Sequence, residues 1–275
     1  MPSTTSLATL ASVALLALGL SACSPAATDA ASDSSQWACQ IQQAPFAYSA
    51  CAIETSALET SALGDKRHVL QLFWQQPDST QPLLSFDELL AALPAGQTLS
   101  FAMNAGMYNE RFAPIGYTVI EGVEKRALNL KSGGGNFHLL PNGVLWWERD
   151  GKVQITESQA FSEQLNGGQV QPWYATQSGP MLVIQDQIHP KFNPESQSAK
   201  IRNGAGVCRD GRIRFVHSDE PVTFYQFATL FKEYLGCPNA LFLDGGVASA
   251  LYAPSINRHD KKQMGVMIGL VDSSD

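Results

Sequence analysis

The sequence is short of positive charge. Its 18 Lys and Arg stand against 25 Asp and Glu in 275 residues, for a formal charge of −7. No basic stripe gathers the few cations, which excludes nucleic acid and argues against an anionic membrane surface as a charge-held partner. Several motifs are missing as well. There is no Gly-x-Gly-x-x-Gly, so the run Gly133-Gly134-Gly135 is not a dinucleotide fingerprint. Without Gly-x-Ser-x-Gly, Ser178 is not framed as a nucleophile. No Cys-x-x-Cys and no Cys/His set at zinc spacing occur. No cofactor is expected, and no residue set assigns a divalent ion.

What is present is a repeated grammar of apolar strand, polar residue and glycine. Ala240-Leu241-Phe242-Leu243 runs into Asp244-Gly245-Gly246. A carboxylate at the end of a buried strand is costly unless it is used or paired, and the two glycines clear space beside it. Ser100-Phe101-Ala102-Met103 runs in the same way into Asn104-Ala105-Gly106. Gly135-Asn136-Phe137, Gln177-Ser178-Gly179 and Arg202-Asn203-Gly204 are three more clusters of the same kind. Each alone reads equally as a tight turn capped by its own side chain. Five in one chain point to a shared polar pocket.

Helix signals are few. Ser85-Phe86-Asp87-Glu88 is a capping box that opens a helix ended by Pro94. Thr223 with Gln226 is a second, and Val222 with Phe227 is a hydrophobic staple. Phe227, Leu230, Phe231, Tyr234 and Leu235 then repeat at helical spacing until Gly236 and Pro238. Strands are predicted over residues 68–74, 98–103, 117–121, 143–148, 153–156, 181–184, 205–207, 213–217, 240–243 and 263–270, with turns such as Pro141-Asn142-Gly143 and Asp210-Gly211 at hairpin spacing. The predicted class is α+β: a mixed, mostly antiparallel β-sheet with a few packed helices in a single globular domain.

The ordered motifs Met103-Asn104-Ala105-Gly106-Met107-Tyr108, Pro114-Ile115-Gly116, Gly135-Asn136-Phe137, Gln177-Ser178-Gly179-Pro180, Ile188-His189-Pro190, Ile201-Arg202-Asn203-Gly204 and Leu243-Asp244-Gly245-Gly246 with Ser249 resemble the phosphodiester glycosidase family, and its bacterial exported branch in particular. The resemblance covers roughly residues 65–270. It implies a hydrolase that cleaves the glycosidic bond of a sugar 1-phosphodiester in an envelope or environmental glycan. Asp244 is then the base or nucleophile, Glu121 the second carboxylate and His189 a proton donor or phosphate ligand. Arg202 offers a planar fork to clamp phosphate. Asn104, Asn136, Gln177, Ser178, Asn203, Gly245 and Gly246 would bind the substrate. The alternative is a non-catalytic glycan-binding envelope lipoprotein.

The N-terminus sets the expected location. Residues 7–22 are Leu, Ala and Val broken by small polar residues, too short to span a bilayer, and end in Leu20-Ser21-Ala22-Cys23. This resembles a bacterial lipoprotein signal, although residues 1–22 carry no Lys or Arg. The expected organisation is a signal at 1–22, a flexible tether at 23–38 rich in Ser, Ala and Asp, and a glycosidase-like domain at 39–275. The protein would be an outer-membrane lipoprotein facing the periplasm, attached to the membrane by its lipid. Once Cys23 is lipidated, Cys39, Cys51, Cys208 and Cys237 remain. An even number in an oxidising compartment suggests disulfides. Of three connectivities, spacing favours Cys39 with Cys51 and Cys208 with Cys237; buried free thiols are the other reading.

Cys23→Ala is expected to release the protein in soluble form or leave an unprocessed precursor. Fractionation of cells checks this, and a mutant that is processed and sediments with membranes like the parent would refute the lipid anchor.

Overall fold

The structure is a computed structural model that describes residues 1–3, 37–62 and 68–273. The predicted signal beyond residue 3, Cys23 and the tether up to residue 36 lie outside the described residues. The account that follows is of the unit Ser35–Asp275.

Three sheets build it. The seven-stranded sheet runs, edge to edge, Trp37–Gln42, Tyr48–Glu54, Arg212–Ser218, Arg202–Val207, Asn239–Gly245, Met181–Ile184 and Gln187–Ile188. A five-stranded sheet runs Arg258–His259, Leu251–Ala253, Gln97–Asn104, Met267–Ser273 and His68–Phe73. The third has Val123–Arg126, Thr118–Ile120, Tyr174–Ser178, Gly143–Trp147 and Gln154–Glu157. Each strand pair whose register the described residues give is antiparallel, for example Arg202–Val207 with Arg212–Ser218 on one side and Asn239–Gly245 on the other. With few helices beside them, the fold is α+β and mostly antiparallel.

Alternation of side chains sorts the seven-stranded sheet into two faces. Cys51, Ile53, Ile213, Phe215, Ala205, Leu241 and Leu243 join Phe101 and Ile268 of the five-stranded sheet in one core. The rings of Phe101 and Phe215 lie 5.1 Å apart across that layer. The other face carries Gly204, Gly206 and Phe242 under the helix Phe224–Thr229, which continues as a π-turn over Leu230–Tyr234. A Cβ on Gly206 would meet the Phe231 ring at 2.6 Å, so the helix can lie this close only because the strand is bare there.

The capping box at Thr223 and Gln226 forms in both directions. At the helix Phe86–Ala92 only half of the box is seen: Ser85 accepts from the Glu88 N–H, while the Glu88 carboxylate accepts from Gln76 instead. The helix Ser158–Asn166 was not legible in its sequence; Glu157 caps it in place of the usual Ser or Thr. Strands Trp37–Gln42, Tyr48–Glu54 and Tyr174–Ser178 were not legible either, and the first opens two residues inside the predicted tether. The last long strand begins at Met267 rather than 263, because Met264 and Val266 bond to Leu84 and Ala105 in loops.

Cys39–Cys51 and Cys208–Cys237 are disulfides, with 12 and 29 residues of separation. The first joins register partners on neighbouring strands; the second ties the end of strand Arg202–Val207 to the loop after the helix. By chain entropy the longer bridge contributes about 3 kcal/mol. A Cys208→Ala/Cys237→Ala variant is expected to lose that amount in a urea titration, and an unchanged midpoint would contradict it.

Candidate active site

Ser49, His217, Asn203 and Asp244 are successive register partners across four neighbouring strands. Ser49 shares its face with Cys51, His217 with Phe215 and Asn203 with Ala205, so the row is the polar last rung of an otherwise apolar face. The register shift matters here. Gly204 pairs with Phe242 but Asn203 pairs with Asp244, leaving Leu243 as the extra residue of a bulge that brings Asp244 opposite Asn203. Ser178 steadies that bulge by donating its hydroxyl to the Leu243 carbonyl at 2.6 Å.

The facing sheet contributes Asn104, at the end of its strand. Asn203 accepts from the Asp244 N–H at 2.9 Å through Oδ1 and donates through Nδ2 to Asn104 Oδ1. Asn104 Oδ1 also accepts from the Ala250 N–H at 3.1 Å. Both carboxamides are fully buried. Asn104 Nδ2 and Ser249 Oγ are buried with no protein partner among the described residues. Such groups cost about 1–3 kcal/mol each unless something occupies them, and sites that receive a ligand are where they persist.

Asp244 is half-buried and accepts from the Gly245 N–H at 2.7 Å. Burial pushes its carboxyl from the ordinary 3.8 up to about 7, with the Gly245 hydrogen bond pulling the other way. The group therefore divides between acid and carboxylate near neutrality, as acid–base catalysis requires. Tyr108 stands close enough to feel it: burial first, then the Asp244 charge, raises the Tyr108 hydroxyl. Gly246 takes φ of +64°, which suits glycine, and its N–H donates to the Ile201 carbonyl at 2.8 Å.

Other predicted residues are elsewhere. Arg202 points to the opposite face from Asn203, and its guanidinium lies 3.6 Å over the Phe224 ring. It donates to the carbonyls of Val222 at 2.8 Å and Ser198 at 3.1 Å, so it ties down a loop and is not aimed at Asp244. His189 belongs to that same side; its ring stacks on Phe192, which stacks on Phe224, and it is turned away from the Asp244 face. Gln177 is consumed by structure: its Oε1 accepts from Tyr117 and Asn129 N–H, and its Nε2 donates to the Asn129 carbonyl and Ser158. Asn136 is exposed at the start of a short 3-10 turn. Glu121 is exposed at a hairpin tip with φ of 54° and lines a groove of about 880 Å³ with Trp74 and Tyr174, remote from Asp244. Flanking glycine marks a close approach or a turn, and it does not dictate which face the polar side chain takes.

A second polar group at the row was not legible in the sequence. Arg258 donates to Asp219, to Asp260 at 3.0 Å and to Ser49 at 3.2 Å, and it lies 3.1 Å from His217 Nδ1. Burial would raise the Asp219 carboxyl, but hydrogen bonds from His217, Arg258 and Ser49 outweigh it and hold it at about 2. The signal that could have found it is the charged run Arg258-His259-Asp260-Lys261-Lys262 in a chain poor in cations. Among the described residues no three His, Cys, Asp or Glu converge in a metal-holding group.

Residues 97–271 match the phosphodiester glycosidase family. The Escherichia coli protein YigE, described as uncharacterized, is 35% identical over 200 residues, covering 72% of this chain and 76% of that one. A hypothetical protein from Synechocystis shares the fold at a TM-score of 0.60 and 13% identity; the alignment covers 86% of this chain and 62% of that one. The catalytic domain of zebrafish N-acetylglucosamine-1-phosphodiester alpha-N-acetylglucosaminidase, auto-inhibited by its pro-peptide, does so at 0.58 and 11% identity, over 89% of this chain and 85% of that one.

A carboxyl whose folded value lies above its unfolded one favours folding when protonated, and its stability contribution falls as pH rises from 3.8 to about 7. Asp244→Asn keeps the shape and cannot ionise. It is expected to be more stable to unfolding than the parent above pH 7, by roughly 2 kcal/mol after allowance for partial exposure, and to match the parent near pH 4. A difference between the two that does not change with pH would show that Asp244 titrates as an ordinary carboxyl.

Proposed function

The chain belongs to the phosphodiester glycosidase family, and from that premise we propose that it hydrolyses the bond between a sugar's anomeric carbon and a phosphodiester oxygen. Water adds to the anomeric carbon and the phosphate departs as a monoester. The observation that carries the reading is Asp244: a carboxyl poised near neutrality, its backbone N–H held by Asn203, beside a buried donor without a partner in Asn104. Asp244 takes the proton from the attacking water or attacks the anomeric carbon itself. A phosphate monoester is a good leaving group, so the site needs less acid assistance than one that expels a sugar hydroxyl.

One observation favours the non-catalytic glycan-binding reading. Glu121, the predicted second carboxylate, lines a groove that does not include Asp244, and Asp219 and Asp260 are committed to Arg258. The hydrolase reading accommodates this only through the leaving group. We place the protein in the cell envelope on the apolar run before Cys23 and on the two disulfides, which form in oxidising compartments. No helix among the described residues is long and apolar enough to cross a membrane.

Assay of the purified protein against a panel of sugar 1-phosphodiesters and plain glycosides is expected to show turnover of the former. Asp244→Asn should lower it at least about a hundredfold, whereas Glu121→Gln should stay within a few-fold of the parent. If Asp244 acts as the base or nucleophile, kcat/KM rises with pH through about 7. Near-parental turnover by folded Asp244→Asn would move the chemistry elsewhere.

A further inference from the structure

With Arg202 committed to the far face, the site still needs something to meet an anion. A lysine that reaches back to the loop after Asp244 supplies it. Lys262 is half-buried, and its ammonium donates to the Ser249 carbonyl at 2.7 Å and sits 3.4 Å from the Gly246 carbonyl. Its sequence neighbour Lys261 is exposed and bound to Asp87, but Lys262 has no carboxylate partner among the described residues. An ammonium has three donors, so one remains after two carbonyls are served.

Two further donors gather at the Ser249–Ala250 segment, one on it and one on the end of the facing strand Gln97–Asn104. Ser249, whose carbonyl holds Lys262, buries a hydroxyl with no protein partner. Asn104, whose Oδ1 accepts from the next residue, Ala250, buries an Nδ2 with no partner. A cation with a spare donor, a hydroxyl and an amide NH2 brought from three chain segments to Ser249 and Ala250 are the donor set of an oxyanion site. A neutral ligand would leave the ammonium unmatched, and a cation would be repelled by it.

We propose that Lys262, Ser249 Oγ and Asn104 Nδ2 form an anion subsite beside Asp244 that takes the phosphate group of the substrate. The identity of that phosphate as part of a sugar phosphodiester rests on the hydrolase reading; the capacity to bind it does not. Lys262 is then the residue that makes the site prefer phosphodiesters to plain glycosides, the task that the sequence pattern suggested for Arg202.

Inorganic phosphate titrated into the folded protein by calorimetry tests the subsite without any turnover. The parent is expected to bind it, Lys262→Gln at least about tenfold more weakly, and Lys262→Arg within about threefold of the parent. Ser249→Ala, which keeps the ammonium, should also weaken binding several-fold. Phosphate binding that is absent in the parent, or unchanged in both Lys262→Gln and Ser249→Ala, overturns the proposal. Circular dichroism confirms that each variant is folded; should Lys262→Gln not fold, Ser249→Ala and Lys262→Arg decide the matter. Phosphate bound through Lys262 with no sugar phosphodiester turned over would sink the hydrolase reading and leave the subsite. Turnover whose preference for phosphodiesters over glycosides survives in Lys262→Gln would do the reverse.

Discussion

The Asn104–Asn203 carboxamide pair is the constraint from which the rest of the site follows. Asn104 ends a strand of one sheet and Asn203 stands second in a strand of another, and each is fully buried at the rim of a core made of Phe101, Phe215, Leu241 and their neighbours. A buried amide with no partner is costly. The pair meets that cost for Asn203 and for the Asn104 oxygen, and in doing so it ties the two sheets together at the point where Asp244 emerges. Asn203 then has its oxygen for the Asp244 N–H, and Asn104 has its NH2 group left over among the described residues. The surplus donor is thus a consequence of how two sheets were joined.

Legibility followed the same physics. Asp244, Asn104 and Asn203 were readable because each stands beside a run of apolar residues and near glycine, and the strand ends make their burial expensive. Arg202, expected in the same pocket, lies on the other face for an equally definite reason. It is adjacent in sequence to Asn203, and in a strand adjacency means opposite faces. Nothing in the one-dimensional pattern says which of the two neighbours looks toward the second sheet, since both sides are apolar: Ala205 faces one core and Gly204 the other. The bulge at Leu243 adds to the difficulty, because it shifts Asp244 by one residue relative to the alternation that Phe242 sets. His217 was hidden by its own regularity. In Ile213, Phe215 and His217 it occupies the third inward position of a strand, and its partners Asp219 and Arg258 come together only in the fold.

The misplaced arginine has a clear structural role. Arg202 is buried without a carboxylate, and burial lowers its guanidinium to about 10. The cost is offset by two backbone carbonyls and by the Phe224 face, with the Phe242 ring 5.6 Å away. These contacts join the helix N-terminus, the loop near Ser198 and the strand that carries Asn203. Arg202 therefore supports the site from behind: the strand it anchors presents Asn203 on its other side.

The charged group at Arg258 extends this division of labour to the far end of the row. Asp260 accepts from the Leu251 N–H at 3.0 Å and returns its own N–H to the Leu251 carbonyl at 3.1 Å, so it fixes the chain directly after Ser249 and Ala250. Through Arg258 that segment is tied to Ser49, His217 and Asp219 on the seven-stranded sheet. The loop from Gly245 to Ala250 is thereby held at both ends: by the Asn203–Asp244 contact where it leaves one sheet, and by Asp260 where it joins the other. Between these anchors Gly245 and Gly246 carry no side chain, and Val247 is exposed. A loop pinned at its ends and bare in the middle can hold donors in fixed positions while leaving room beside the carboxylate. That arrangement is what separates Asp244, whose carboxyl burial raises, from Asp219, whose carboxyl the Arg258, His217 and Ser49 hydrogen bonds hold low.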